Sequence, residues 1–351
     1  IRDSTGMGPA GPAIVDAIRS VTDKPIHTII YTHGHVDHAY GTWAIMEAGE
    51  TPQIIAHELL KPRFERYIRL RGSLAKYMSQ PEEQLPASPS DLVWPTRYFS
   101  DRLELEIGGE TFVLQHHKGE TDDQLYVWVP GRKALASADY YQGFLPNAGN
   151  GKRFQRHVEE WSAAMKEMAA LAPEALLPAH GAPITDTATI QENFLVLAEA
   201  FDYITNHTIE GLNAGKRKDV IYQSLQLPEH LANHPTLNVQ YVTANDISKM
   251  LIKKYTGWWD DIPSNWTPAP MEDQGNMIIE LAGGNIPAIT EYARGLIGQD
   301  IRLASHLTDW LFYARPDDAE VQQLVFDVYK SRILDPDTNT MEMLTYLDQM
   351  T

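Results

Sequence analysis

The chain contains no cysteine, which excludes disulfides and thiolate metal ligands without fixing the compartment. It also has no apolar run approaching the roughly eighteen residues needed to cross a bilayer, so no membrane span is expected. Basic residues are scarce, with 29 Lys and Arg against 47 Asp and Glu and a formal net charge of −18. That balance argues against a nucleic-acid partner, which wants a basic face. It also disfavours long-range capture of an anionic substrate, so any such specificity has to be local. No signal peptide is visible, but the chain opens at Ile1 without Met, as if inside a first hairpin. N-terminal strands are therefore expected to be missing. A soluble protein is expected, and bacterial-type cytoplasmic and periplasmic or secreted locations both stay open.

What the sequence does have is histidine in one dense cluster. His33, His35, Asp37 and His38 fall in the run Thr32-His33-Gly34-His35-Val36-Asp37-His38. The segment before it, Ile26 to Tyr31, reads as a short buried strand. Gly34 is expected to take a backbone conformation closed to other residues. His33 and His35 can then aim at one point while Asp37 and His38 aim at a second beside it. Zinc favours imidazole and carboxylate ligands of this kind, so the chemistry suggested is two adjacent zinc ions activating one water. A lone histidine would more often be an ordinary polar residue. Three with an aspartate, packed this closely behind an apolar strand, are better explained as ligands.

The loop from Thr32 to His38 resembles the His-x-His-x-Asp-His signature of the metallo-β-lactamase superfamily. That resemblance implies an αββα sandwich with its metals at strand ends and further ligands on distant loops. Asp3, in Asp3-Ser4-Thr5-Gly6, resembles the family's early aspartate, which supports the metal loop without binding metal. Glu120, in Lys118-Gly119-Glu120-Thr121, stands where many members carry a histidine ligand, and glutamate there is the pattern of the alkyl sulfatase branch. Asp139, following Ala134 to Ala138, resembles the carboxylate that bridges both metals, although alkyl sulfatases carry glutamate there. His180, in Leu177-Pro178-Ala179-His180-Gly181, would be the last ligand. His116 and His117 are the rivals to Glu120, and His57 reads as a polar residue near the rim. His27, His157, His207, His230, His234 and His306 have no ligand-like neighbours and read as structural or exposed.

The set this implies places one zinc on His33, His35 and Glu120 and the other on Asp37, His38 and His180, with Asp139 bridging. Asp37 and Asp139 are the expected catalytic carboxylates. One of the two ions could instead be another divalent metal such as iron or manganese. A water shared by two cations loses its proton near neutral pH and attacks an electrophilic centre. The leading expectation is hydrolysis of a sulfate ester or related small ester. A lactone, β-lactam or other ester or amide is the alternative, favoured by Asp139, and a non-catalytic binding protein on this scaffold is a third. Lys152 and Arg153 lie near where the sulfatases place a sulfate-binding arginine, and a guanidinium offers sulfate a two-pronged fork. A solvated loop is the alternative for that pair.

The character of the chain changes near residue 188. Residues 1–188 alternate β-rich and helical runs, including helices from Pro9 to Val21 and from His157 to Leu171, as an α/β layered domain requires. Residues from about 60 to 98 read as an insertion in which Arg63, Arg66, Arg69 and Arg71 lie on a charged, solvated helix. Residues 189–351 are helical nearly throughout. There, Tyr255-Thr256-Gly257-Trp258-Trp259-Asp260 with Pro263 and Pro268-Ala269-Pro270 resembles a segment of the alkyl sulfatase dimerisation domain. The resemblance implies a homodimer formed through this all-α domain. A helix pair exposing Trp258 and Trp259 would bury well against a partner subunit.

Overall fold

The computed structural model describes residues 10–78 and 81–350. By its internal contacts the chain parts into two compact units between Tyr255 and Thr256. The first opens with helix α1 (Gly11–Val21) and carries two sheets. In one, β1 (Thr28–Ile30), β2 (Gln53–His57) and β3 (Arg97–Phe99) run parallel in that order. In the other, β4 (Arg102–Ile107), β5 (Glu110–His116), β6 (Leu125–Val129) and β7 (Ala134–Ala138) are antiparallel, and β8 (Ala175–Pro178) joins β7 in parallel.

Parallel pairs need crossovers, and helices supply them. The short α2 (Val36–Ala39) and α3 (Thr42–Glu47) link β1 to β2, while α4 (Leu60–Arg69) and α5 (Arg71–Met78) lie between β2 and β3. The helix α6 (Val158–Ala170) lies between β7 and β8. The insertion is thus the crossover of the first sheet.

Strand alternation builds the layers. Ile55 of β2 packs between the sheets with Leu105, Leu114, Leu125 and Val127. Its neighbours Ile54 and Ala56 point the other way, into a cluster with Leu60, Phe64 and Tyr67 of α4 and Leu74 of α5. A strand buried on both faces reads as a continuous apolar run, which is how β2 reads in sequence. On the outer face of the larger sheet, Tyr126, Tyr140, Trp161 of α6 and Phe201 of α7 (Thr187–Asn213) meet ring to ring at 5.6–6.4 Å. The result is helix, sheet, sheet, helix.

Three further helices, α8 (Lys218–Gln223), α9 (Glu229–Ala232) and α10 (Ala244–Thr256), follow α7. The second unit is built of α11 (Met271–Leu281), α12 (Ile286–Leu296), α13 (Ile301–Ala314), α14 (Ala319–Ile333) and α15 (Thr340–Met350). Its core includes Ile279, Ala293, Ala304, Leu311, Val321, Leu324 and Val328. Trp258 and Trp259 are not on a helix pair as expected. They lie in the turn before α11, whose Gly257 has φ +79°. Trp258 is nonetheless 72% exposed, with the ring of Trp266 5.3 Å away.

Candidate metal centre

The seven residues singled out as ligands stand at strand ends. His33 and His35 follow β1, Asp37 and His38 begin α2, Glu120 follows β5, Asp139 follows β7 and His180 follows β8. Because β5, β7 and β8 run the same way, their C-terminal ends meet at one edge of the larger sheet. The N–H of Leu125 donates to the carbonyl of Thr32 at 2.9 Å and ties the end of β1 to that edge. Residues separated by more than a hundred positions therefore converge.

They converge as two groups whose donor atoms all lie within 4.8 Å of one another: His33, His35, Glu120 and Asp139, then Asp37, His38 and His180. In the first, His33 Nε2 is 3.0 Å from His35 Nδ1 and 3.8 Å from Asp139 Oδ2, and His35 Nδ1 is 4.0 Å from Glu120 Oε2. In the second, His38 Nε2 is 3.3 Å and His180 Nε2 is 3.6 Å from Asp37 Oδ2. Asp139 reaches this group too, at 3.4 Å from His38 and 3.5 Å from His180. Two ligands at about 2.05 Å from a tetrahedral zinc stand about 3.3 Å apart, so the spacing fits such an ion. His38 Nε2 and Asp139 Oδ1 are buried, and the charged atoms 3.3–3.5 Å from them form no aligned hydrogen bond, as suits atoms that share a metal.

Electrostatics agree. Burial, with His38 nearby, pushes His33 down to about 3, and burial with His33 nearby holds His35 well below the usual range. Both imidazoles are thus neutral, the form that ligates metal. Burial pushes the Glu120 carboxyl up to about 8, against the charge of Arg156. Burial opposes a charge on His38, yet Asp139 and Asp37 outweigh it and push that ring up to about 10. The two groups differ in access: the side chains of His33 and Glu120 are 0% and 5% exposed, those of Asp37 and His180 55% and 45%. The second group faces solvent.

The placement of Asp139 depends on an unusual backbone. The β7–β8 pairing shifts register between Ala136 and Ala138, and Ala138 sits at φ +49°. A non-glycine residue in that region stores strain, and here it turns Asp139 toward both groups.

Several expectations are revised. Gly34 is not among the residues with positive φ; a Cβ there would lie 2.8 Å from Arg63 Cδ and 3.3 Å from Asp123 Oδ2, so crowding excludes a side chain. Arg63 is not solvated but 5% exposed, because Asp122 and Asp123 both pair with it. His57 is buried rather than at the rim, donating from Nε2 to the carbonyl of Ser100 at 2.8 Å and stacking on His116 at 3.5 Å. His116 bonds the carbonyl of Gln124, and His117 pairs with Glu167, so neither rival replaces Glu120. Asp3 lies outside the described residues.

Four residues went unnoticed in the sequence. Arg156, 3% exposed, pairs with Glu120 Oε1 at 3.1 Å and donates to the Glu120 carbonyl. Asp122 and Asp123 follow Glu120 almost directly, and that acidic pair was the available signal. Tyr241, from the segment before α10, has Glu120, Asp37 and Asp139 among its charged neighbours. No local signal marks it. Of the expected cations, Arg153 donates to the carbonyl of Tyr77 at 3.4 Å and has Glu120 in electrostatic range. Lys152 is half-buried beside it.

A sandwich with two clusters of imidazole and carboxylate at its strand ends has a fold and a donor set that suit a pair of divalent metal ions. The sequence profile of the metallo-beta-lactamase superfamily matches residues 5–180, and that of the alkyl sulfatase dimerisation domain matches residues 217–348. The chain belongs to the metallo-beta-lactamase superfamily and carries an alkyl sulfatase dimerisation domain. It is 26% identical over 332 residues to a linear primary-alkylsulfatase of Pseudomonas sp., covering 87% of this chain and 62% of that protein. Over 122 residues it is 37% identical to the 2,4-dinitroanisole O-demethylase subunit alpha of Nocardioides sp., covering 33% of this chain and 29% of that one. The solved structure of the stereoselective inverting sec-alkylsulfatase Pisa1 from Pseudomonas sp. shares its fold, with a TM-score of 0.84 at 19% identity over 96% of this chain and 58% of that one. The chain thus spans about three fifths of the length of these alkylsulfatases.

Proposed function

We propose that this chain is a hydrolase of small sulfate esters that uses two divalent cations, zinc in the first instance, at the paired clusters. The observation that carries the reading is Asp139, whose one carboxylate lies within 3.8 Å of imidazoles of both groups. Two cations bound there would supply Lewis-acid charge and lower the pKa of a water between them. His33, His35 and Glu120 would hold one, Asp37, His38 and His180 the other, and Asp139 both. The exposure of Asp37 and His180 supports entry of water and substrate from the second group's side. Asp37 and Asp139 are the carboxylates in position to orient the attacking water. Arg153 would receive the sulfate, since its guanidinium is only loosely engaged, at 3.4 and 3.5 Å, by the carbonyls of Tyr77 and Lys152. Lys152 would add a second positive charge. Arg156 is committed to Glu120 and is not the anion's partner. The alkylsulfatase relatives support the substrate class, and the matched dimerisation domain supports a homodimer.

The local likeness to the dinitroanisole demethylase subunit favours a second reading, hydrolytic cleavage of an aryl ether. The distinguishing experiment compares release from dodecyl sulfate, an aryl sulfate, 2,4-dinitroanisole, a lactone and a β-lactam, in the wild type and in Glu120→Ala. Sulfate release abolished by the substitution supports the proposal. Turnover of the ether, lactone or lactam alone overturns the sulfate assignment, and no turnover of any overturns hydrolysis.

A further inference from the structure

Arg63 comes from the crossover helix α4, remote in sequence from every candidate ligand. Its Nε lies 2.8 Å from Asp123 Oδ1, and its Nη2 pairs with Asp122. The other oxygen of Asp123 accepts the N–H of Gly34 at 2.8 Å. Gly34 is the residue between His33 and His35, and Asp122 and Asp123 are two and three residues beyond Glu120. One guanidinium therefore ties together the backbone that aims two imidazoles and the loop that presents the glutamate. The ends of this tie are buried, with Arg63 5% and Asp123 1% exposed. Gly34 belongs to the same device, since a side chain there would strike Arg63 Cδ. The Arg63–Asp123 contact is a close buried ion pair rather than an aligned hydrogen bond, and none of these contacts is made with Asp37, His38 or His180 directly.

We propose that Arg63 and Asp123 are positioning residues that set the affinity of the His33, His35 and Glu120 site for its metal, and act far less on the Asp37, His38 and His180 site, which shares only Asp139 with it. The inference rests on the two-metal reading above. The three ligands come from two sheets, and imidazoles at positions 33 and 35 converge only if the turn between them is held. The Asp123 carboxylate holds that turn through the Gly34 N–H, and Arg63 fixes Asp123 against the Glu120 loop. Groups that orient ligands in this way typically change metal affinity by about 10–100-fold when removed.

The test measures zinc binding itself, by titration of metal-free protein in a zinc buffer, with His35→Ala and His180→Ala marking which binding step belongs to which site. Asp123→Asn and Arg63→Lys are the conservative variants. The paired variant Arg63→Met with Asp123→Asn removes both charges of the buried pair while the asparagine oxygen still accepts the Gly34 N–H, which guards against simple unfolding. The expected result is a loss of about 10–100-fold in affinity at the step abolished by His35→Ala, with a clearly smaller loss at the step abolished by His180→Ala, which feels the change only through the shared Asp139. Equal loss at both steps, or lower thermal stability with both affinities intact, would show a merely structural role and overturn the inference. A wild-type chain that binds no zinc overturns the two-metal reading, and this inference with it.

Discussion

Removing Arg156 gives a sharp perturbation. Its guanidinium is 3% exposed and lies 3.1 Å from Glu120 Oε1, and Glu120 is itself 5% exposed. Burial already pushes the Glu120 carboxyl up to about 8, so at about pH 9, where it ionises, Arg156→Met would strand a buried carboxylate, which typically costs about 3–5 kcal/mol. The same carboxylate turns its other oxygen, Oε2, toward His35, so a cation bound there would offset part of the lost charge. Urea unfolding should therefore show the full loss in chelator and a loss smaller by about 1–2 kcal/mol in saturating zinc, where the cation does part of the guanidinium's work. In a cycle with Glu120→Gln, the double variant should be more stable than the summed single losses by about 2 kcal/mol. If the loss is the same with and without zinc, and the two substitutions add, the account of Glu120 as a charge shared between Arg156 and a metal is wrong.

Three other outcomes follow from the geometry. Burial and the neighbouring His57 push His116 down to about 4, so the unfolded chain takes up this proton more readily. The contribution of that stacked pair is complete above about pH 6.5 and is lost as pH falls toward 4, amounting to up to ~2 kcal/mol after allowance for solvent screening of the partly exposed ring; His116→Phe should flatten this part of a stability-against-pH curve. Ala138→Gly relieves a left-handed alanine and should raise the stability of the metal-free protein by up to about 1 kcal/mol, whereas a loss would mean the strain is absent. Arg153→Ala should lower kcat/KM for a sulfate ester by about 10–100-fold, the worth of one charge-assisted contact, without lowering the metal content; an unchanged kcat/KM would remove Arg153 from the anion site.

Most of the candidate centre was legible because His33 to His38 are contiguous, and because the segments around Glu120, Asp139 and His180 resemble ligand loops of a known superfamily; that each lies past a strand end agrees with the resemblance but would not have singled it out. The supporting residues carry neither mark. Arg63 looks in sequence like one arginine among four on a charged helix, and only the return of the chain after β5 brings Asp122 and Asp123 to it. Gly34 shows the same limit: its glycine was expected for reasons of φ, but the cause is the close passage of Arg63. Trp258 and Trp259 were read as helical although Gly257 and the following Pro263, Pro268 and Pro270 break the helix there. Periodicity reports which face of an element is buried, not which distant charge will lie against it.

The central claim is that two cations bind per chain with Asp139 between them. Elemental analysis of purified protein, alongside Asp139→Ala, tests it most directly, with sulfate release from dodecyl sulfate measured on the same samples. The account predicts two divalent ions per chain in the wild type, fewer in the variant, and release that falls with the metal. Fewer than one ion per chain, with release undiminished by chelation, would contradict it.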